Sequence, residues 1–596
     1  MRDFLKYTFA SLLALLIFLG VSIGGLVLLV MSISSRNPAP PVKDKSVLAF
    51  DLSVDITDGQ KGSSGNLGDA LLSGTPDTIP LRMALNAIDR AAKDKRIVAL
   101  YLYGDMESSS SAGYAALKEV REALQRFRAT GKQIIAYGVA WSEPEYYLAS
   151  VADTIAINPY GSFELNGLAS NTAFYAGALK KFGVGVQVTR VGKYKSAVEP
   201  FLLDKRSPES RRQTQALLGD VWGEFLTAVG KDRKLTPTQL QTVTDNQPVL
   251  DAEDAVKQKL VTKLAYEDEM ISQLQQLGEK DDDSFRQISL KSYAKVAEQA
   301  LERERQSKNQ IAVVYAEGEI VDGEGDADQV GGDRFAQQLR EIQQDDDIKA
   351  VVIRVNSPGG SVIGSEVIQR EVIQTRKKKP VVVSMGGVAA SGGYWISTFS
   401  DRIFAQPNTI TGSIGVFGLR PNVQKLANDN GVTWDVVKTG RYADISSITR
   451  PRTPQELTIF QKSVDHIYDR FVSKVAESRK LPKAKVAEIA QGRVWSGKQA
   501  LAIGLVDQMG GLQDAIQDAA QRAKLGDNWK LTEFPEPRGL GETLLKNLSS
   551  ESLQKNRSKS PIFKELGKLQ TEFTVLRGMN DPSEIYARLP FNFRLD

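Results

Sequence analysis

Short apolar runs alternate with longer amphipathic segments along most of this chain. In the first half the apolar runs cover residues 47–52, 97–103, 134–139, 154–157 and 184–188. In the second half they cover residues 311–315, 350–355, 381–385, 402–405 and 434–437. Segments with helical periodicity, such as residues 112–130, lie between these runs. Because buried strands that alternate with helices of this length usually pair in parallel, the pattern predicts an α/β fold.

The second half of the chain repeats the first at an offset of 248 residues. This offset aligns Asp-Thr-Ile at residues 153–155 with Asp-Arg-Ile at residues 401–403. It also pairs Pro159 with Pro407, Gly183 with Gly431, Gly192 with Gly440, and Tyr194 with Tyr442. We therefore predict a tandem duplication of one α/β domain.

The two copies differ at the positions that could carry chemistry. Ser391 lies in a Gly-rich turn of the second copy, and Glu143 occupies the equivalent position of the first. Lys195 lies in the first copy, and Ala443 occupies its equivalent in the second. A duplication that leaves a nucleophile in one half and a base in the other predicts one composite site where the halves meet.

Composition narrows the possible chemistry. The chain has no Cys, which excludes disulfides, thiol catalysis and Cys-based metal sites. Its single His, His466, lies in an amphipathic helical segment and is expected on the helix surface rather than in a catalytic role. The net charge of +4 over 596 residues gives no reason to expect nucleic acid as a partner. We expect neither a metal ion nor an organic cofactor.

The N-terminal segment predicts membrane attachment. Residues 7–35 carry no charge and are rich in Leu, Ile and Val, and a helix needs about 20 such residues to span a bilayer. A cleaved signal peptide has a shorter apolar region, although Ser32 and Ser34 leave cleavage as an alternative. We assign residues 1–45 to a transmembrane anchor and a Pro-containing stalk.

The remaining boundaries follow from charge and periodicity. Residues 46–277 form the first copy, and residues 278–310, which open with a charged run, are predicted to be a linker. Residues 311–535 form the second copy. Residues 536–596 show weaker periodicity, so we expect a loosely packed tail with short helices.

Two Gly-rich turns of the second copy are candidate parts of an active site. Gly359 and Gly360 follow a predicted strand, and glycines there let backbone N–H groups face a bound oxyanion. The same pattern suits phosphate. The second turn holds Ser391 and Gly392, whose N–H group could join the oxyanion hole, although a Gly- and Ala-rich segment also suits tight helix packing on a sheet.

Lys195 is the candidate general base, because the chain has no Cys and its single His is unsuitable for this role. An amine accepts a proton only when it is neutral, so burial must lower its pKa from about 10.4. A Ser hydroxyl activated in this way attacks a carbonyl and forms an acyl-enzyme that water hydrolyses. Ser413, in a short turn of the second copy, could hold the amine by a hydrogen bond, and Lys193 is the nearest competing lysine.

Four segments resemble the signal peptide peptidase A family, also called protease IV, in its long tandem-repeat form. They are SPGGSV from residue 357, SMGGVAASGGYWIS from residue 384, TGSIGVFG from residue 411 and VGKYKSAVEPF from residue 191. The resemblance implies a Clp-protease/crotonase-like α/β fold and a Ser/Lys dyad. On the matching positions Ser391 is the nucleophile, Lys195 the base and Ser413 the residue that orients it.

The resemblance also implies a setting and a substrate. It implies a homotetramer on the bacterial inner membrane, with the soluble domains on the periplasmic side, that degrades remnant signal peptides. Two alternatives remain at this point. One is a crotonase-type acyl-CoA enzyme on the same fold, and the other is a non-enzymatic membrane scaffold whose repeats only oligomerise.

Overall fold

The computed structural model describes Tyr7, Phe18 and residues 39–59, 77–106, 113–535 and 585–589. The predicted transmembrane segment at residues 7–35 lies almost entirely outside the described residues. Across the described ranges, no helix combines the length and apolar character needed to cross a membrane. In the first copy the polar residues Glu107 to Ser111 stand at the position of the second copy's residues 355–359, which lead into the first Gly-rich turn, and they also lie outside the described residues.

The first sheet is built from the apolar runs of the first copy. Its parallel centre consists of adjacent strands that are buried on both faces, as expected for strands covered by crossover helices. In spatial order its strands are Gln287–Ser289, Ser46–Asp51, Ile97–Tyr103, Gln133–Trp141, Thr154–Glu164 and Val249–Asp251, with Lys263–Leu264 also paired to Thr154–Glu164.

The second sheet repeats this strand order with residues of the second copy. Its central strands are parallel, and its last strand is antiparallel, as in the first sheet. In spatial order its strands are Lys530–Phe534, Gln310–Glu317, Ile348–Ser357, Val381–Ala390, Ile410–Gly412 and Val494–Ser496, with Arg402–Ala405 beside Val381–Ala390 and Gln508–Met509 beside Arg402–Ala405. The duplicated α/β architecture predicted from the sequence is confirmed.

Helices flank the two sheets, ten in the described part of the first copy and eight in that of the second. In the first copy they are Leu81–Lys93, Gly113–Ala129, Glu143–Ala149, Ala176–Lys181, Glu199–Leu202, Pro208–Arg233, Pro237–Asn246, Ala252–Lys257, Glu267–Leu277 and Leu290–Glu304, with a 3-10 turn at Ser196–Val198. In the second copy they are Gly332–Gln344, Val362–Arg376, Gly392–Ser397, Gln424–Asp429, Pro454–Arg479, Lys483–Ile489, Gly497–Ala502 and Leu512–Arg522.

A third sheet joins the two copies. Gly185–Arg190 of the first copy pairs antiparallel with Phe417–Asn422 of the second over the full length of both strands. In spatial order its strands are Gln329–Gly331, Glu319–Val321, Gly359–Ser361, Ile585–Arg588, Phe417–Asn422 and Gly185–Arg190. This sheet carries the end of the first-copy strand, and with it the Lys195 loop, onto the second copy. Two further pairings are short: Asp55–Thr57 with Thr78–Pro80 in parallel, and Lys280–Asp281 with Ser284–Phe285 in an antiparallel hairpin.

A buried ion cluster also fixes one copy against the other. Arg354, on a central strand of the second sheet, lies 2.6 Å from Asp58 and 2.9 Å from Glu119 of the first copy. All three side chains are almost fully buried. A buried charge is tolerated only with a partner of opposite charge. The buried arginine of the second copy therefore needs the two carboxylates of the first, and this requirement holds the copies together.

The predicted strand at residues 434–437 is wrong. Residues 433–438 form no strand, and Trp434, Val436 and Val437 are exposed. The equivalent strand of the first copy is stabilised by pairing with Phe417–Asn422. The described part of the chain offers no such partner to residues 433–438, and an apolar segment without a neighbouring strand gains no ladder hydrogen bonds.

The structure also contradicts the predicted linker at residues 278–310, because most of these residues belong to the first copy. Gln287–Ser289 pairs in parallel with Ser46–Asp51, and the helix Leu290–Glu304 buries Leu290, Tyr293 and Ala294 in the first core. The charged run that suggested a linker is limited to the small hairpin before this strand. The first copy therefore extends through Glu304.

The predicted tail contains one described element, and it is not helical. Ile585–Arg588 is a buried strand of the third sheet. The remainder of residues 536–596, apart from Leu589, lies outside the described residues.

Candidate active site

Ser391 lies at a sharp turn between a strand and a helix. The strand Val381–Ala390 ends directly before it, and the helix Gly392–Ser397 begins directly after it. Its backbone has φ 57° and ψ −112°, a combination that is rare and strained for a residue with a Cβ. The Ser391 N–H group donates to the carbonyl of Gly412 at 2.8 Å, which holds the turn in place.

Lys195 reaches this turn from the first copy. It follows Gly185–Arg190, the first-copy strand of the third sheet, and directly precedes the 3-10 turn Ser196–Val198. Its Nζ atom lies within hydrogen-bond distance of Ser391 Oγ, at 2.8 Å, and of Ser413 Oγ, at 3.0 Å. The structure thus brings together the two residues that the repeat comparison placed in one composite site.

Burial decides the protonation state of this lysine. The Lys195 side chain is fully buried, and this desolvation lowers its pKa well below the ordinary value for lysine. Its described polar neighbours are the hydroxyl of Ser391 and the hydroxyl and carbonyl of Ser413, which are uncharged. The neutral amine, which can accept a proton, is therefore favoured.

Ser413 fixes the amine from the other side. It follows the strand Ile410–Gly412 in a left-handed conformation with φ 50°, and its N–H group donates to the carbonyl of Arg493. The Ser413 hydroxyl and carbonyl oxygen both lie within 3.1 Å of Lys195 Nζ. A neutral amine has two N–H groups and one lone pair. When both N–H groups donate to Ser413, the lone pair is directed at Ser391.

Two residues that position the Lys195 loop were not identified from the sequence. Gly492 has φ 74°, and a Cβ added there would lie 2.6 Å from Lys195 Cβ. Gln213 donates to the carbonyl of Tyr194 at 3.1 Å and accepts the N–H group of Val494 at 3.2 Å. Both act through contacts between residues far apart in sequence, and a single Gly or Gln in a helical or loop segment carries no signal of such a role.

The candidate oxyanion glycines lie beside Ser391. A Cβ added at Gly359, where φ is 92°, would lie 2.5 Å from the Gly392 nitrogen. The Gly359 N–H group itself donates to the hydroxyl of Ser357 at 3.2 Å. Gly360 has φ 157°, and a Cβ there would lie 1.9 Å from the carbonyl of Ile320. Only glycine permits backbone to approach this closely on both sides of the turn.

The competing titratable residues do not join this group. Lys193 is exposed, with its amine 5.5 Å from the ring centroid of Tyr194. His466 is exposed on the helix Pro454–Arg479. Glu143, equivalent to Ser391, is buried and accepts the N–H group of Gly167 at 3.0 Å, so it supports a loop of the first copy.

A serine hydroxyl held against a neutral amine is the arrangement needed for nucleophilic catalysis without histidine. The sequence comparisons give the class of enzyme. The profile of Peptidase family S49 matches residues 126–281 and 373–526, one match in each copy, and that of Clp protease matches residues 302–410. The chain belongs to peptidase family S49, with two such domains in tandem on a Clp-protease-like α/β fold, and it is a serine endopeptidase.

Two of the similar proteins match most of the chain, and a third matches less than half of it. It is 37% identical to Protease 4 of Salmonella typhi, over 91% of this chain and 90% of that protein. It is 32% identical to Serine protease SPPA, chloroplastic, of Arabidopsis thaliana, over 84% of this chain and 75% of that protein. It is 36% identical to Putative signal peptide peptidase SppA of Enterococcus faecium, over 43% of this chain and 76% of that protein. The alternatives of an acyl-CoA enzyme and a scaffold are thereby set aside.

Proposed function

We propose that this peptidase uses Ser391 as nucleophile and Lys195 as general base, and that it degrades remnant signal peptides and other unfolded apolar peptides at a membrane. The observation that carries the proposal is the buried hydrogen bond of 2.8 Å between Lys195 Nζ and Ser391 Oγ. A lysine in this position has no other evident use, since burying an amine is costly and its described partners carry no charge.

The proposed reaction follows from this geometry. Neutral Lys195 accepts the hydroxyl proton as Ser391 Oγ attacks the scissile carbonyl, and the N–H groups of Gly392 and Gly360 stabilise the oxyanion. Gly359 lies between these two residues and has no side chain, so it leaves space for the scissile carbonyl. The ammonium of Lys195 then protonates the leaving amine, and the acyl-enzyme forms. Lys195 next takes a proton from water as the water attacks the acyl carbonyl, and it returns that proton to Ser391 Oγ as the acyl C–O bond breaks, which releases the acid and regenerates the serine.

Ser413 is proposed to orient the base throughout the cycle. Its hydroxyl and carbonyl oxygen accept from the amine in the resting state. When Lys195 becomes charged, the same oxygens stabilise the ammonium without providing a carboxylate. A carboxylate would raise the resting pKa of the lysine and keep it protonated, so two uncharged acceptors suit a base better.

A membrane setting is proposed from the N-terminal sequence. The uncharged run at residues 7–35 suits a single-pass anchor, and we propose the bacterial inner membrane with the catalytic domains on the periplasmic side. Such an anchor holds the site near the surface where cleaved signal peptides remain. The signal-peptide substrate is also consistent with the name of the Enterococcus faecium relative.

We also propose that the chain assembles into a homotetramer. In one chain, Gly185–Arg190 pairs with Phe417–Asn422. At the repeat offset these strands correspond to residues 433–438 and 169–174, and neither segment has a strand partner in the described part of the chain. The same pairing between 433–438 of one subunit and 169–174 of the next would cover Val437, which is 96% exposed. A head-to-tail contact of this kind forms a closed ring when the rotation between neighbouring subunits is a whole fraction of a turn, and a quarter turn gives the proposed tetramer.

The substrate proposal is tested by comparing peptides of equal length. The detergent-solubilised full chain is incubated with a signal-peptide-like apolar peptide and with a strongly charged peptide, and cleavage is followed by mass spectrometry. We expect faster cleavage of the apolar peptide, and none by the Ser391→Ala variant. Equal or faster cleavage of the charged peptide would reject signal peptides as the preferred substrate while leaving the Ser/Lys mechanism intact.

A further inference from the structure

The chain returns to its own active site near its C-terminal end. Ile585–Arg588 lies between Gly359–Ser361 and Phe417–Asn422 and pairs antiparallel with both strands. The N–H group of Leu589 continues the first pairing by donating to the carbonyl of Pro358 at 2.7 Å. All five residues of this segment, Ile585–Leu589, are buried. An extended peptide that completes a sheet beside a catalytic serine has the form of a bound substrate.

The register of this segment is specific. Gly360 is paired with Ala587, and the Leu589 hydrogen bond two residues away makes this a hydrogen-bonded pair of the antiparallel ladder. A Cβ added at Gly359 would lie 2.2 Å from the Ala587 carbonyl oxygen, and one added at Gly392 would lie 3.0 Å from it. The carbonyl of Ala587 thus lies against the two glycines that flank the approach to Ser391. A scissile carbonyl would take the same place.

The apolar side chains of the segment are buried in two apolar pockets, each formed with residues of both copies. The ring of Tyr586 lies 5.9 Å from that of Phe417, in an apolar cluster that includes Val198 of the first copy. Leu589 is buried in another cluster that includes Leu217 of the first copy. Both pockets are therefore composite, like the Ser391 and Lys195 site itself.

The segment also neutralises a buried charge. Arg588 forms an ion pair with Glu319 at 2.9 Å, and both side chains are largely buried. Burial raises the pKa of Glu319, and the Arg588 guanidinium opposes that rise. If the segment left the groove, the Glu319 carboxylate would lose this partner. The groove is thus built to favour a small residue at the position of Ala587 and a basic residue directly after it.

We propose that Ile585–Leu589 acts as an intramolecular competitor of peptide substrates, binding the substrate groove as a strand with Ala587 at the reacting position. The inference rests on the proposed function, because it takes the groove beside Ser391 to be the peptide site. Peptides enter only in the fraction of molecules whose groove is free, so the segment weakens their apparent affinity by that fraction.

The test measures peptide binding in the full chain with Ser391→Ala, so that nothing is cleaved. The probe is the fluorescein-labelled peptide Ile-Tyr-Ala-Arg-Leu, and its Kd is measured by fluorescence anisotropy. Adding Arg588→Glu, which places a like charge beside Glu319, should lower the Kd at least about fivefold. Tyr586→Ala should act in the same direction, because it empties the composite apolar pocket.

The matched control is Arg577→Glu, the same charge change elsewhere in the tail, and it should leave the Kd unchanged. The unlabelled peptide Ile-Tyr-Ala-Glu-Leu should compete poorly with the probe. Equal Kd values for all variants, or no binding of the probe to any of them, would overturn the inference. If the Kd shifts as expected but the chain with Ser391 intact cleaves no peptide, the proposed function fails and the occupancy of the groove stands.

Discussion

Lys195 Nζ lies 2.8 Å from Ser391 Oγ, although 196 positions of the chain separate the two residues. Each belongs to a different copy of the duplicated domain, and the third sheet brings the copies together at this point. A site that requires both copies explains why neither copy retains both residues. The duplication supplied two equivalent positions for each role, and one of each is now used differently, as Glu143 shows through its contact with Gly167.

The dyad predicts a non-additive loss of activity. Ser391→Ala and Lys195→Ala should each reduce kcat by at least about a thousandfold, and the double variant should be no slower than the slower single variant. The measurement is kcat on a fluorogenic peptide, with thermal unfolding to show that the fold is retained. Lys193→Ala is the control and should keep most of the activity. A dead Lys193→Ala enzyme would mean that the base is assigned to the wrong lysine.

Activity should rise with pH through the lowered pKa of Lys195. Burial favours the neutral amine, and only the neutral amine accepts the serine proton, so the rate increases as the lysine loses its proton and then levels off. The kcat/KM profile of the full chain tests this. Replacing the exposed His466 by Gln should not change the profile. A rate that falls over the same pH range would exclude lysine as the base.

Gly492 should matter for catalysis because of its contact with Lys195. In Gly492→Ala the new Cβ would lie 2.6 Å from Lys195 Cβ, so the lysine must move from Ser391. Gly526→Ala is the control, since φ is 54° there and its Cβ would meet nothing within 4 Å. Both variants should lose about 1 kcal/mol of unfolding free energy from the positive φ. Only Gly492→Ala should also lose activity, and equal activity in the two variants would refute the positioning role.

The proposed subunit contact predicts a selective effect on assembly. Val437→Asp places a charge in the exposed segment 433–438 and should shift the tetramer to smaller species in light scattering. Leu501→Asp, a charge at another exposed apolar residue, should leave the mass unchanged. Since Lys195 and Ser391 meet within one chain, the dissociated protein should still react with an active-site probe. An unchanged mass for Val437→Asp would reject this contact.

The sequence was sufficient to predict those parts of the molecule that depend on local pattern. The central strands are long apolar runs, and the complementary residues at the repeat offset indicated that Lys195 and Ser391 would meet. Their catalytic roles remain predictions. Residues 434–437 have the same apolar character as a strand but lack a partner among the residues that the structure describes, and periodicity cannot show whether a partner exists.

Other features depend on contacts that no local pattern records. The helix Leu290–Glu304 packs on the first core, yet the neighbouring charged run suggested a linker. Ile585–Arg588 is a four-residue strand whose stability comes from the strands on either side. Gly492 and Gln213 position the Lys195 loop, and each is separated from Lys195 by more than 15 residues in sequence. These positions become visible only when the fold brings distant residues together.

The most direct test of the central claim is labelling of the full chain with a fluorophosphonate, which reacts only with an activated serine. We predict a single modification at Ser391 in the unaltered chain, located by peptide mass spectrometry, and none in Ser391→Ala. Lys195→Ala should label at least about a hundredfold more slowly, because the hydroxyl then lacks its base. Labelling of a different serine, or an undiminished rate in Lys195→Ala, would contradict the Ser391 and Lys195 dyad.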